Sequence, residues 1–258
     1  MSRLLISRDD RVLHLTLNIP EKRNALDEEL CRDLGASLYD AGRDNTIGSV
    51  LLDGAGPVFC SGMDLDEALL PDAVERTEIH EQLFTFGMHY HKPIVAAVHG
   101  AALGGGVGLL ANCHVVIAAQ GTTFGLTEIR VGMWPFVIFR SVASAIGERR
   151  ATELALTGRI FGVNDALTYT LIHEIVPPIE LEDRAMAVAT RLATGSQETM
   201  RRGLDYVQRA RRLDWEEAGK LALEMRAKTY RSPDFVEGAR AFREKRKPSW
   251  PSSRANRG

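Results

Sequence analysis

The chain has 258 residues, 45% of them hydrophobic and 26% charged, with a formal net charge of −2. That suffices for a large core without metal or disulfide staples, and the near-balanced charge argues against a nucleic-acid binder that works by phosphate neutralisation. The three cysteines, Cys31, Cys60 and Cys113, have no C-x-x-C spacing, so neither a disulfide framework nor a metal site is expected, and a reducing, cytoplasmic setting is.

The first ten residues carry charges and no apolar core of a secretory leader. Leu4 to Ser7 and Val12 to Leu17 read as strands around the charged turn Arg8-Asp9-Asp10-Arg11. A loop over Asn18 to Asn24 precedes a predicted helix, Asp27 to Gly42, with Leu30, Leu34 and Leu38 spaced by four. Ser49 to Asp53 is a predicted strand, and Asp64 to about Tyr90 a predicted helix broken near Pro71. The mostly apolar run Ile94 to Ala119 is long enough to span a bilayer. Its centre has four glycines in five positions, and it holds His99, Asn112 and His114. Lipid-facing backbone of that kind would leave polar groups unsatisfied, so the run reads as strand, turn, helix and strand, with no membrane span. Arg140 to Ile146, Arg149 to Leu156 and Asn164 to Tyr169 read as helices, and Ile172 to Val176 as a strand. From Leu181 to Arg231 the sequence is helical and highly charged, a last helix covers Phe235 to Arg246, and the tail after Pro248 reads as mobile.

The first two-thirds thus repeat a strand–strand–helix unit, around 4–42, 49–90 and 93–119, without sequence identity between units. Two turns stand out, Phe59-Cys60-Ser61-Gly62-Met63-Asp64-Leu65 and Gly100 to Gly108. Each follows a predicted strand and precedes a predicted helix, so each presents free backbone N–H groups at a helix start. Close helix–strand packing is the competing explanation of such glycines. No G-x-G-x-x-G fits residues 100–109 and no G-x-S-x-G surrounds Ser61, which removes dinucleotide and serine-hydrolase readings.

These turns, together with Arg23-Asn24-Ala25-Leu26, Lys92-Pro93-Ile94-Val95-Ala96-Ala97-Val98-His99-Gly100, Phe124-Gly125-Leu126-Thr127-Glu128, Leu156-Thr157-Gly158 and Glu237 to Arg246, resemble the crotonase superfamily of enoyl-CoA hydratases and isomerases in order and spacing over nearly the whole chain. The resemblance implies an α/β fold: a crotonase (ClpP-like) ββα spiral core over residues 1–180, with a helical C-terminal region, 181–258, serving trimerisation and as a lid. It implies an acyl-coenzyme A thioester as substrate and no permanently bound cofactor. It places the oxyanion hole on the N–H groups of Ser61 and Gly105 and the proton-transfer base on Glu128. Coenzyme A would be met by Lys22, Arg23, Ala25, Ser61, Gly62, Met63, Asp64 and Leu65, and by Phe242 and Lys245 from the lid. Homotrimers or hexamers follow from the same resemblance.

The chain departs from the family in three places. Hydratases carry a second glutamate three residues after the middle glycine, and here that position is Gly108. One carboxylate can shuttle a proton between two carbons, but positioning water with one is harder. Gly132 to Phe139 puts bulky apolar residues where a glycine-rich loop is common, which reads as a reshaped acyl pocket or as packing. Asn112-Cys113-His114 stands where Cys-Asp is common, with His114 read as a packed histidine. His80, His89, His91 and His99 fit no metal spacing, and the two near a predicted strand entry, His89 and His91, read as surface or interface residues. Glu128 could also be a helix-start residue that complements a dipole. Hydrolysis or decarboxylation of an acyl-CoA, and a non-catalytic acyl-CoA- or RNA-binding scaffold, remain as alternatives.

Overall fold

The computed structural model describes residues 2–72, 74, 77–88 and 90–254. Strands β1 (Leu4–Asp9) and β2 (Val12–Leu17) form an antiparallel hairpin. Helix α1 (Glu28–Arg43) follows, capped by Asp27, whose side chain accepts from Leu30 N at 2.8 Å. Its Leu30, Leu34, Leu38 and Ala41 are buried, as the spacing by three and four requires.

Strand β3 (Ser49–Gly54) leads to short α2 (Leu65–Ala68) and to α3 (Thr77–Leu83). Then come β4 (Ile94–Val98), β5 (Ala101–Leu103), α4 (Gly105–Ala111), β6 (Val115–Ala119) and β7 (Thr123–Gly125). Helices α5 (Phe136–Ile146) and α6 (Glu148–Thr157), strand β8 (Ile160–Gly162), helix α7 (Val163–Thr168) and strand β9 (Glu174–Val176) complete this part. The chain ends in α8 (Leu181–Ala193), α9 (Gln197–Ala210), α10 (Trp215–Tyr230), α11 (Pro233–Arg243) and α12 (Pro251–Arg254).

Six strands form one sheet in the order β1-β2-β3-β4-β6-β9, parallel apart from the first pair. Its middle strands are buried on both faces. Leu51, Val95, Ala97, Ile117 and Ala119 point to α8, where they meet Ala185, Val188 and Ala189. Val50, Leu52, Ile94, Ala96, Val98, Val116 and Ala118 alternate into the main core with α1 and α4. Strands β5, β7 and β8 make a second, three-stranded sheet. β1 and β2 of the first unit both stay in the first sheet, but later units send a long strand into the first sheet and a short one into the second: β4 and β5 before α4, then β6 and β7 before α5. The unit over 49–90 contributes the single bridge of Cys60 to Ala102. Gly100 makes the corner at φ 64°, where a Cβ would stand 2.1 Å from Pro57 O.

The apolar run 94–119 is the expected strand, turn, helix and strand, with β5 added inside the turn. Among the described residues no helix is long and apolar enough to cross a membrane. The helix predicted over 64–90 with a break near Pro71 is two short helices on either side of that break and a 3-10 turn at Phe86–Met88. Helix α8, at the start of the C-terminal region, closes the back of the large sheet. One expectation needs correction. The tail after Pro248 is anchored as far as Ser252: Asp234, itself buried, accepts from Ser196 Oγ, Ser252 N and Ser252 Oγ, and Trp250 Nε1 donates to Thr194 O at 2.9 Å.

Candidate active site

The bridge of Cys60 to β5 sets the two turns side by side. Cys60 N donates to Ala101 O at 3.1 Å and Leu103 N to Cys60 O at 3.0 Å. Behind them, Asn24 holds the first loop. It is fully buried at φ 52°, its Oδ1 accepts from Ile19 N, and its Nδ2 donates to Ala55 O and Val58 O. The Asn24 side chain therefore ties 19–24 to 55–59, beneath the turn that follows.

That arrangement decides which N–H is free. Ser61 N donates to Arg23 O at 3.0 Å, so the expected Ser61 donor is already occupied. Gly62, at φ 100°, redirects the chain. Leu26 N then donates to Gly62 O (2.7 Å), and Asp64 N to Leu26 O (3.2 Å). A parallel bridge of this kind uses the neighbours of Met63 and leaves the N–H of Met63 on the opposite edge. Gly105 opens α4, where the first N–H groups have no acceptor within the helix. No backbone acceptor among the described residues is paired with Met63 N–H or Gly105 N–H. The two turns touch: a Cβ on Gly62 would stand 3.4 Å from Gly105 N and 3.0 Å from Leu103 O. The two N–H groups that these bonds leave free are thus those of Met63 and Gly105. The sequence signal for this is the glycine at 62, after which the direction of the peptide reverses.

Glu128 begins a 3-10 turn, Glu128–Val131, directly after β7. The pairing of β7 with β5 and the bond from Gly104 N to Gly125 O (2.8 Å) bring it to the glycine turn. Its Oε1 is 3.1 Å from where a Cβ on Gly104 would be, and the φ of 49° at that position favours glycine. Burial pushes the Glu128 carboxyl above its ordinary range, and its Oε2 is buried with no hydrogen-bond partner. A buried orphan carboxylate oxygen facing a cavity is what a proton-transfer base has before substrate arrives.

The cavity measures about 400 Å³. Leu26, Met63, Asp64 and Leu65 line it with Gly104, Gly105 and Glu128, and Phe84, Trp134, Phe136, Val137 and Ile138 give it an apolar wall. The bulky segment after Gly132 therefore faces the cavity. Asp64 caps α2 through Asp66 N and Glu67 N and pairs with Lys22 Nζ at 2.6 Å. Burial opposes its ionisation, but Lys22 and these N–H groups outweigh burial and hold the carboxyl below its usual range.

Gly108 has no room for a side chain, because a Cβ there would stand 2.4 Å from Ile138 Cγ2 and 3.0 Å from Phe84 Cδ1. Lys22, Arg23 and Ala25 belong to the loop behind Ser61 and do not line the cavity. Phe242 and Lys245, on and just after α11, are exposed and do not reach it within one chain. His114 is packed as expected: its Nδ1 accepts from Ile94 N at 3.1 Å, and burial pushes it down to about 4. His99 bonds Gly56 O, and His89 lies outside the described residues. His80, for which the sequence suggested no more than the absence of a metal spacing, lines the cavity. The Cys60 thiol, buried beside the turn, is pushed up to about 12 by desolvation and is no nucleophile.

The family model for enoyl-CoA hydratase/isomerase matches residues 7–253. The chain is 31% identical to the 2,3-dehydroadipyl-CoA hydratase of Escherichia coli, over 97% of this chain and 99% of the relative. It is 30% identical to the trans-2-decenoyl-[acyl-carrier-protein] isomerase of Streptococcus mutans, over 96% and 97%. A solved enoyl-CoA hydratase from Mycobacterium smegmatis superposes with a TM-score of 0.91 at 29% identity, covering 97% of this chain and 99% of that one. By sequence over nearly its whole length and by fold, the chain belongs to the enoyl-CoA hydratase/isomerase family of the crotonase superfamily and is an acyl-CoA-processing enzyme of that type.

Proposed function

We propose that the enzyme moves a proton at the alpha carbon of an enoyl-CoA thioester, with Glu128 as base and the N–H groups of Met63 and Gly105 as oxyanion hole. The observation that carries this reading is the Glu128 carboxyl against Gly104, one residue from the free Gly105 N–H. The reaction that one carboxylate completes is double-bond isomerisation. Glu128 takes a proton from C2 of a 3-enoyl thioester, and the C–H electrons pass through the carbonyl to its oxygen, giving a dienolate. The carbonyl then re-forms as Glu128 returns the proton to C4, leaving C2=C3. Each preorganised donor at the developing oxyanion is worth about 2.7–4 kcal/mol of barrier.

The apolar wall from Phe84 to Ile138 suits an acyl chain. Coenzyme A would enter past Met63, Asp64 and Leu65, and Arg23 and Lys22 on the adjoining loop would meet its phosphates, Lys22 by exchanging its pair with Asp64. Phe242, 86% exposed on α11, and Lys245 are proposed to reach coenzyme A across a subunit contact, with the helices after α8 holding a trimer or hexamer. Three free cysteines suit a reducing, cytoplasmic setting.

The test is conversion of 3-enoyl-CoA to 2-enoyl-CoA, followed by the ultraviolet absorbance of the conjugated thioester. Glu128→Gln should slow it by about 10²–10⁴-fold, the usual weight of a general base. Wild-type turnover that survives Glu128→Gln would remove Glu128 from the reaction.

A further inference from the structure

Glu128 Oε2 is not the sole orphan in the cavity wall. His80 Nε2 is also buried without a hydrogen-bond partner, and His80 lines the same cavity. Its placement follows from α3. Phe84 N donates to His80 O at 3.0 Å, so the two residues stand one turn apart and share a face of the segment. Phe84 shows where that face points. Its ring atoms come within 3.0 Å of the Cβ positions of both Gly105 and Gly108. The face that fills the space beside Gly108 therefore also brings an imidazole to the cavity.

This segment is fixed from three sides. Ser141 Oγ donates to Phe84 O at 2.7 Å, Asn112 Nδ2 donates to the same oxygen at 2.8 Å, and Arg140 pairs with Glu81 at 2.7 Å. These bonds fix the segment that carries His80, and a buried ring nitrogen without a partner there offers a contact that a ligand can fill.

We propose that His80 Nε2 is the second polar contact of the active site and holds the water, or the C3 hydroxyl, of a substrate that is hydrated at C3. It takes over the part that the absent carboxylate at 108 leaves open. The proposal rests on the enolate site described above and extends it from isomerisation to hydration. A water or hydroxyl oxygen both donates and accepts, so it satisfies an imidazole nitrogen whether or not that nitrogen carries the hydrogen. In the step itself, Glu128 takes one proton from the water as its oxygen bonds to C3 of a 2-enoyl thioester. The C2=C3 electrons move through the carbonyl to its oxygen, and the Glu128 carboxyl returns the proton to C2. The sum is addition of one water, with His80 orienting the nucleophile.

The test compares two rates in one protein: hydration of 2-enoyl-CoA, and isomerisation of 3-enoyl-CoA, which needs no water. The ratio of hydration to isomerisation should fall tenfold or more in His80→Leu and recover in part in His80→Gln, which keeps a hydrogen-bonding atom. A variant that is merely misfolded lowers both rates and leaves the ratio in place, and a wild-type ratio in His80→Leu overturns the proposal. Wild-type enzyme that isomerises without hydrating overturns it as well, while leaving the Glu128 reading intact. Turnover of neither substrate overturns both.

Discussion

Ile138 occupies the volume that a side chain at Gly108 would need, its Cγ2 lying 2.4 Å from the Cβ position. The missing carboxylate is therefore not an open vacancy that one substitution could refill. Ile138 is itself 1% exposed and packed in the main core, so it cannot swing away cheaply.

Gly108→Glu alone should destabilise the protein by about 1–3 kcal/mol, the usual cost of overpacking. Adding Ile138→Ala should recover part of that loss, because the two side chains contend for one space. A double-mutant cycle on urea midpoints measures the coupling. Strictly additive effects would mean that the two positions do not compete.

Glu128 should set the acid limb of the isomerisation profile. Burial raises its carboxyl pKa, and the carboxylate is the form that accepts the C2 proton. The kcat/KM curve should therefore fall with acid around a midpoint above the ordinary glutamate value of about 4.3. Residual activity of Glu128→Gln should lack that limb. A midpoint at or below the ordinary value would mean that bulk water reaches the carboxyl in the free enzyme.

Most of the fold was legible because its strands are short apolar runs bounded by glycine turns. The run 94–119 illustrates this: polar residues and glycines alone separated it from a membrane span. The proposed oxyanion hole was half legible. Gly105 follows from its place at a helix start, but the choice between Ser61 and Met63 depends on a long-range bond, Ser61 N to Arg23 O, that spacing does not encode. The place of His80 was not legible for a similar reason. Its helix has weak periodicity, and its inward face is decided by Phe84 meeting Gly105 and Gly108 from a distant part of the chain. The anchored tail was missed because Asp234, a buried acceptor for Ser196 and Ser252, looks in sequence like an ordinary acidic residue in a first helical turn.

Asn24→Ala should cost about 2–4 kcal/mol. The side chain makes three short bonds to backbone groups, each worth about 1 kcal/mol net, and its removal leaves buried partners unpaired. The residue also sits at positive φ, which alanine tolerates less well than asparagine. Because the loop it fixes sits beneath the Ser61 and Met63 peptides, kcat should drop alongside stability. Chemical denaturation combined with the isomerisation assay checks both effects, and loss of stability at wild-type kcat would show that the turn holds its shape without the anchor.

Stability should fall across neutral pH through His14. Its Nε2 lies 2.8 Å from Asp53 Oδ2, on the face of the large sheet that carries α8. The hydrogen bond to Asp53 raises the imidazole pKa, burial opposes it, and the charges of Asp53 and Glu182 add to the rise. The folded protein thus holds a proton that the unfolded chain releases at about pH 6.5. The stabilisation is complete below that unfolded value and is lost as pH rises through the higher folded one. Urea midpoints for wild type and His14→Gln should therefore differ more at pH 6 than at pH 9. A gap that stays constant between the two pH values would mean that the pair contributes through packing and neutral hydrogen bonding, with no linked proton.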